Sequence, residues 1–234
     1  MKSTLAGRQR SVPLALAVLI AVVAGLLTFT VERGSAHAEG ALDHSHGGPV
    51  AGLSGPAQVA FHDQMRKLWE DHVTWTRLAI VTFADGSAGF DATATRLLQN
   101  QTDIGNAIAP FYGQAAGDQL STLLHAHITI AVQLLQDAKA GDTTAFGTDK
   151  ARWYDNGNQI ADFLSAANPR FWPDDVMRAV MKEHLDQTLA EAEDELAGNY
   201  TASVNDYEAI HLHILVMADL LSSGIMRQFP NRFN

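Results

Sequence analysis

Three histidines carry the pattern in this chain that could do chemistry. His72 stands in Leu68-Trp69-Glu70-Asp71-His72-Val73, His127 in Leu123-Leu124-His125-Ala126-His127-Ile128, and His184 in Val180-Met181-Lys182-Glu183-His184-Leu185. Each copy has two apolar residues, two variable ones, the His and a branched aliphatic, with Thr76, Ala131 or Thr188 four residues after the His. The steps from His72 to His127 and from His127 to His184 are nearly equal in length. Three imidazoles suit zinc, copper or iron. If the segments pack about a pseudo-threefold axis, His72, His127 and His184 meet on it. Asp103, Asp162 and Asp219 follow their histidines at similar intervals, the last two at the same one. They are candidates for further ligands, or for acceptors that fix the ring tautomers. The same residues can also be neutral, hydrogen-bonded spacers in an apolar core. Repeat copies inherit such residues together, so three histidines are not three independent signs of a metal.

The elements that must position them read as six helices in three hairpins, about 58–113, 114–172 and 173–230. Phe61, Met65, Leu68, His72, Trp75 and Ala79 step by three and four, the seam of a core-facing helix. That helix stops near Ala84-Asp85-Gly86. Its partner is expected over 91–109, closed by Pro110 and Gly113. The second hairpin pairs a helix from Gly117 to Ala140 with one over 148–167, stopped by Asn168-Pro169. The third opens at Pro173-Asp174-Asp175, with acids in the first turn, and runs to Leu196. The last helix, over 203–228, is apolar nearly all round, which predicts a central position. Matching helix-start distances place Asp103 and Asp162 near the height of their histidines, with Asp219 matching His184 more loosely. Self-similarity at the spacing of these histidines is too long for the common two-helix solenoids, so an all-α, six-helix bundle is expected over 58–234.

Residues 1–38 form a separate unit. Lys2, Arg8 and Arg10 precede an apolar run from Val12 to Val31, and Ala36-His37-Ala38 fits a cleavage site. This reads as a signal peptide or an uncleaved N-terminal membrane anchor. Either places the rest of the chain outside the cytoplasm, secreted or on the outer face of the membrane. Residues 39–57, with His44 and His46 among Gly, Ser and Pro, read as a flexible linker. Of 16 basic and 26 acidic residues, four and one lie in residues 1–38, so 12 and 25 remain, a net charge of −13. Such a surface disfavours nucleic acid and anionic membranes and suits cations or basic proteins. There are no cysteines, which excludes disulfides, thiolate metal sites and cysteine nucleophiles.

Other candidates are thinner. Glu208 and His211 have the spacing of a di-iron carboxylate pair, of which a ferritin-like site needs two. His213 falls on a different face from His211. Glu191, Glu193, Asp194 and Glu195 read as a solvated acidic face. Trp69, Trp75, Trp153 and Trp172 read as core and hairpin-end packing. No nucleophile elbow, phosphate loop or dinucleotide fingerprint is present.

At Leu68-Trp69-Glu70-Asp71-His72-Val73, Asn100-Gln101-x-Asp103-Ile104-Gly105-Asn106, Trp153-Tyr154, Asn168-Pro169, His184-Leu185, Met217-Ala218-Asp219 and Gly224-Ile225, the chain resembles an uncharacterised family of small exported bacterial helical-bundle proteins. The resemblance covers about residues 60–233 and implies a fold and an extracytoplasmic compartment, with no activity. Some look-alikes carry a glycosyltransferase label, but no nucleotide-sugar fold pattern occurs here. The expectation is a non-enzymatic cell-envelope protein that binds a metal ion or a protein partner. The alternative is a metalloenzyme with a His/carboxylate site in the bundle core.

Overall fold

Helix starts and stops follow from local chemistry. Pro56 sets the first turn of α1 (Pro56–Ala84), and Gly86, at φ 63°, ends it. The partner α2 (Phe90–Tyr112) runs through Pro110 in its last turn and ends three residues past the expected stop, at Gly113 with φ 89°. The second hairpin joins α3 (Gln114–Ala140) to α4 (Thr143–Ala167). Gly141 turns left-handed, and Asp142 caps α4 by accepting the Ala145 N–H at 2.9 Å. That Gly-Asp pair starts α4 five residues before the expected Thr148. The third hairpin is α5 (Asp174–Leu196) and α6 (Tyr200–Gln228), followed by a short 3-10 turn over Pro230–Arg232. The structure, a computed structural model, describes Leu53 and residues 55–234. The expected signal or anchor segment, and most of the expected linker, lie outside the described residues.

The architecture is an all-α bundle of six helices, with no strand among the described residues. Each helix packs on the next, and α6 returns to α1, so the bundle is a closed ring. Inside the ring, α5 also meets α1 and α3. The first helix of every hairpin therefore faces the middle, as the repeat predicted. The expected central position of α6 is corrected: it is a ring member lying on α5 and α1. Tyr200, Val204, Leu212 and Val216 on it are exposed. By composition α6 could cross a membrane, with mean hydropathy 1.6, yet half of that stretch is buried inside the bundle.

The aromatic hairpin ends gather at one end of the ring. Phe61 packs on Phe111 at 5.0 Å, Phe111 on Phe229 at 5.7 Å, and Tyr112 on Trp172 at 5.9 Å between ring centroids. Trp172 is buried and donates its indole N–H to the Leu220 carbonyl. It lies so close to α6 that only a glycine fits below it. A Cβ on Gly224 would sit 2.0 Å from Trp172 Nε1. Gly224→Ala is expected to cost about 3 kcal/mol, the upper range for overpacking a core. In a domain of this size that lowers Tm by roughly 6–12 °C, which a thermal melt followed by circular dichroism would read.

Candidate functional site

The rings of His72, His127 and His184 come together in the core, delivered by α1, α3 and α5. Each is at most 4 % exposed. His184 lies between the other two, 5.5 Å from His72 and 6.5 Å from His127 between centroids. A fourth imidazole, His213 on α6, stacks 6.4 Å from His184. Trp69 and Trp153 close the cluster at 5.8 Å from His72 and 5.0 Å from His127.

In hairpins one and two, an amide on the second helix holds the ring, at the same interval after its His. Gln101 Nε2 donates to His72 Nδ1 at 3.2 Å, and His127 Nδ1 donates to Asn156 Oδ1 at 2.9 Å. The third residue in this register is His213. A second link, made at the same register in hairpins two and three and one residue earlier in hairpin one, ties the two helices of each hairpin together, reaching the carbonyl four residues before each His. Asn100 Nδ2 donates to Leu68 O at 3.0 Å, Asn156 Nδ2 to Leu123 O at 3.2 Å, and His213 Nε2 to Val180 O at 2.9 Å. The recurring Thr is explained as well. Thr76 and Thr188 donate to the carbonyls of His72 and His184, both at 2.8 Å. These bonds assign His127 as the Nδ1–H tautomer, with its lone pair on Nε2, and His72 as the Nε2–H tautomer.

The aspartates expected beside the rings lie elsewhere. Asp103 meets Arg96 and Gln99 at 3.4 and 3.2 Å, and Asp162 pairs with Arg178 at the surface. Asp219 takes His62 at 2.9 Å and Arg66 at 2.8 Å. The reason is the position of the helix starts. His127 stands as far before Ala140, the last residue of α3, as Asn156 stands after Thr143, the first of α4. Asp162 and Asp219 are six residues beyond Asn156 and His213, about 9 Å along the helix. Asp103 is two residues beyond Gln101 and so about 200° around its helix. Among the described residues, no three His, Asp or Glu side chains are arranged, as placed, to hold a metal ion.

The three inner rings, His72, His127 and His184, are held neutral at pH 7. Burial is the main reason in every case. It holds His72 down to about 3, with His127 nearby adding to the effect, and His127 down to about 4. His184 is pushed well below its ordinary value by burial and then by His72, His127 and His213. Neutral imidazole is the form that ligates metals. His184 Nδ1 is buried with no hydrogen-bond partner. Buried polar atoms are rarely left so, and each such atom costs about 1–3 kcal/mol.

Sequence reasoning missed a second polar cluster. Glu191 and Glu195, expected on a solvated face, are buried at 1 % and 5 % exposure. Arg77 on α1 reaches both, at 3.2 Å to Glu191 and 3.0 Å to Glu195, and also donates to Ser203. Burial raises Glu191 to about 7, with the Arg77 guanidinium opposing the rise and the carboxylates of Glu195 and Asp206 adding to it. A signal was present: Arg77 is five residues after His72 and Glu191 seven after His184, so the repeat puts them at one level. Glu208 is exposed, and His211 pairs with Glu70 across to α1 at 3.0 Å. An apolar cavity between the hairpins, near the loops that join their helices, measures about 50 Å³ and is lined by Ile80, Leu97, Ile128, Leu134, Trp153 and Leu189. Apolar cavities that take benzene are about three times larger. The chain matches no family model, no curated protein and no solved structure.

Proposed function

We propose that this is an exported, non-enzymatic binding protein of the cell envelope that holds a transition-metal ion among the imidazoles of His72, His127 and His184. The observation that carries the reading is His184, a buried ring with an uncommitted Nδ1 between two other neutral imidazoles. A metal–nitrogen bond is about 2.0–2.1 Å, which puts the ion roughly 3.2 Å from a ring centroid. Two rings sharing an ion then have centroids about 5–6.5 Å apart, the range occupied here. Because His184 Nδ1 makes no hydrogen bond, its ring can turn toward an ion without breaking one. Asn156, holding His127 Nδ1, leaves Nε2 free to ligate and fixes the ring as such outer partners do, whereas His72 ligates through Nδ1 only by giving up its bond from Gln101. The rings bring no charge, so the charge of a bound ion stays largely uncompensated in the core. Burying charge is costly, and a monovalent ion costs least. Copper(I) therefore ranks ahead of zinc and iron(II), all three of which imidazole accepts. The basic, apolar N-terminal segment and its Ala36-His37-Ala38 site support export.

Binding is tested on untagged protein with His44 and His46 replaced by Ala, so that the tail cannot contribute. Copper(I) under reductant, zinc and iron(II) are titrated against wild-type cores and against His72→Gln, His127→Gln and His184→Gln. The expected result is one ion per chain, with affinity at least about tenfold weaker in each variant. Absence of binding for all three ions in a folded wild-type core contradicts the reading and leaves the rings as core spacers.

A further inference from the structure

The third hairpin breaks the rule that the other two follow. Hairpins one and two place an amide, Gln101 or Asn156, at the same interval after the His, and that amide holds the ring of its own His. The third places His213 there, which bonds the Val180 carbonyl through Nε2 and makes no bond to His184. Of the three δ nitrogens, that of His184 is the one left without a partner, in the one hairpin where the amide is missing. An amide there would satisfy it. The chain instead sets a second imidazole against the uncommitted one, at 6.4 Å and nearly parallel, with 17° between the ring planes. That separation is about twice the ion-to-centroid distance of a bound imidazole.

His213 also differs in access. The side chains of His72, His127 and His184 are closed off, whereas His213 Nδ1 lies 3.6 Å from Glu183, whose side chain is 49 % exposed. This is a carboxylate beside an imidazole of the cluster. It offers an incoming cation a negative group at the α5–α6 face and supplies the countercharge that the inner rings lack.

We infer that His213 is the fourth imidazole of the metal site, and that the ion enters and is held on the α5–α6 side, between His184 and His213. This rests on the reading that the cluster binds an ion, and copper(I) is the probe.

His213→Asn separates ligation from packing because the protein already contains the answer for that residue. In hairpin two, Asn156 both donates to the carbonyl at this register and accepts from the ring. His213→Asn therefore keeps the Val180 link and satisfies His184 Nδ1. The expected result is a Tm equal to or above that of wild type, together with copper(I) affinity at least about tenfold weaker in competition with a chromophoric chelator. His213→Gln, copying Gln101, holds the His184 ring but gives up the Val180 link, which in hairpin one is made by Asn100, so it is expected to weaken copper(I) binding alike with a Tm below that of His213→Asn. A purely structural His213 moves the two readouts the other way, with unchanged affinity and a lower Tm. Equal copper(I) affinity in wild type and His213→Asn overturns the part given to His213 and leaves the three-ring site standing. No copper(I) binding by wild type overturns both.

Discussion

Lowering the pH from 7 to 4.5 is expected to destabilise this protein by about 5 kcal/mol, unfolding there taking up a net of about two protons. His72, His127 and His184 have folded-state values far below the ordinary one near 6.5, about 3 for His72 and about 4 for His127. Below pH 6.5 the unfolded chain therefore binds protons that the folded core refuses. Stability is full above that point and falls as pH drops toward 4. Each ring contributes a slope of about 1.4 kcal/mol per pH unit. Glu191 works in the opposite sense. Raised to about 7, it holds a proton in the folded state that the unfolded chain releases above about 4.5, so its contribution falls as pH rises. Three protons against one leaves a net slope of about 2.5 kcal/mol per pH unit in the window from 4.5 to 6.5. Two pH units then remove about 5 kcal/mol, the whole of the stability at the low end of the typical range of about 5–15 kcal/mol and a third of it at the high end. The optimum is expected near pH 6.5–7. Urea midpoints measured from pH 4.5 to 8 check this, and a flat profile between 4.5 and 6.5 would show that the rings titrate freely.

Arg77→Ala is expected to be the most damaging single substitution away from the imidazoles, at about 3–5 kcal/mol. The guanidinium joins α1 to two nearly fully buried carboxylates on α5. Removing one side of a buried ion pair strands the other without solvent or partner, which costs far more than the pair itself contributes. Here two carboxylates lose the cation, and Glu195 keeps only the Ser203 hydroxyl, at 2.6 Å. Glu191→Gln takes the reverse course. It removes a charge that burial already resists, leaving Glu195 paired with Arg77, and is expected to be neutral or stabilising above pH 7. Urea denaturation at pH 8 separates the two. Equal losses in both variants would mean that the cluster is not organised around a single shared cation.

Much of this was written in the recurring segments. The His, the apolar residues around it and the Thr four residues on placed α1, α3 and α5 as equivalents, and equivalents in a closed ring face the same interior. The helix stops at Gly86, Gly141 and, two residues past the end of α5, Gly198, all three with positive φ, set the hairpins. What was less visible was the start of α4. Asp142 caps it immediately after a left-handed Gly141, and the five residues this adds bring Asn156, not Asp162, level with His127. The amide partners were inconspicuous because Gln101 and Asn156 are different residue types doing one job, and the third copy is a histidine. Composition misled at α6: Leu212 and Val216 make it look central, but a ring helix can leave such side chains exposed. The acids of α5 were read by charge alone, yet Glu191 and Glu195 face inward because Arg77 is there to meet them.

The proposed metal site is tested most directly by the metal content of the untagged protein as purified from the cells that make it, measured by mass spectrometry per folded chain. Close to one copper, or failing copper one zinc or iron, is expected per chain, and its loss in His184→Gln at unchanged folding. A folded wild-type protein that carries no transition metal, and takes up none when copper(I), zinc or iron(II) is supplied, would contradict the site.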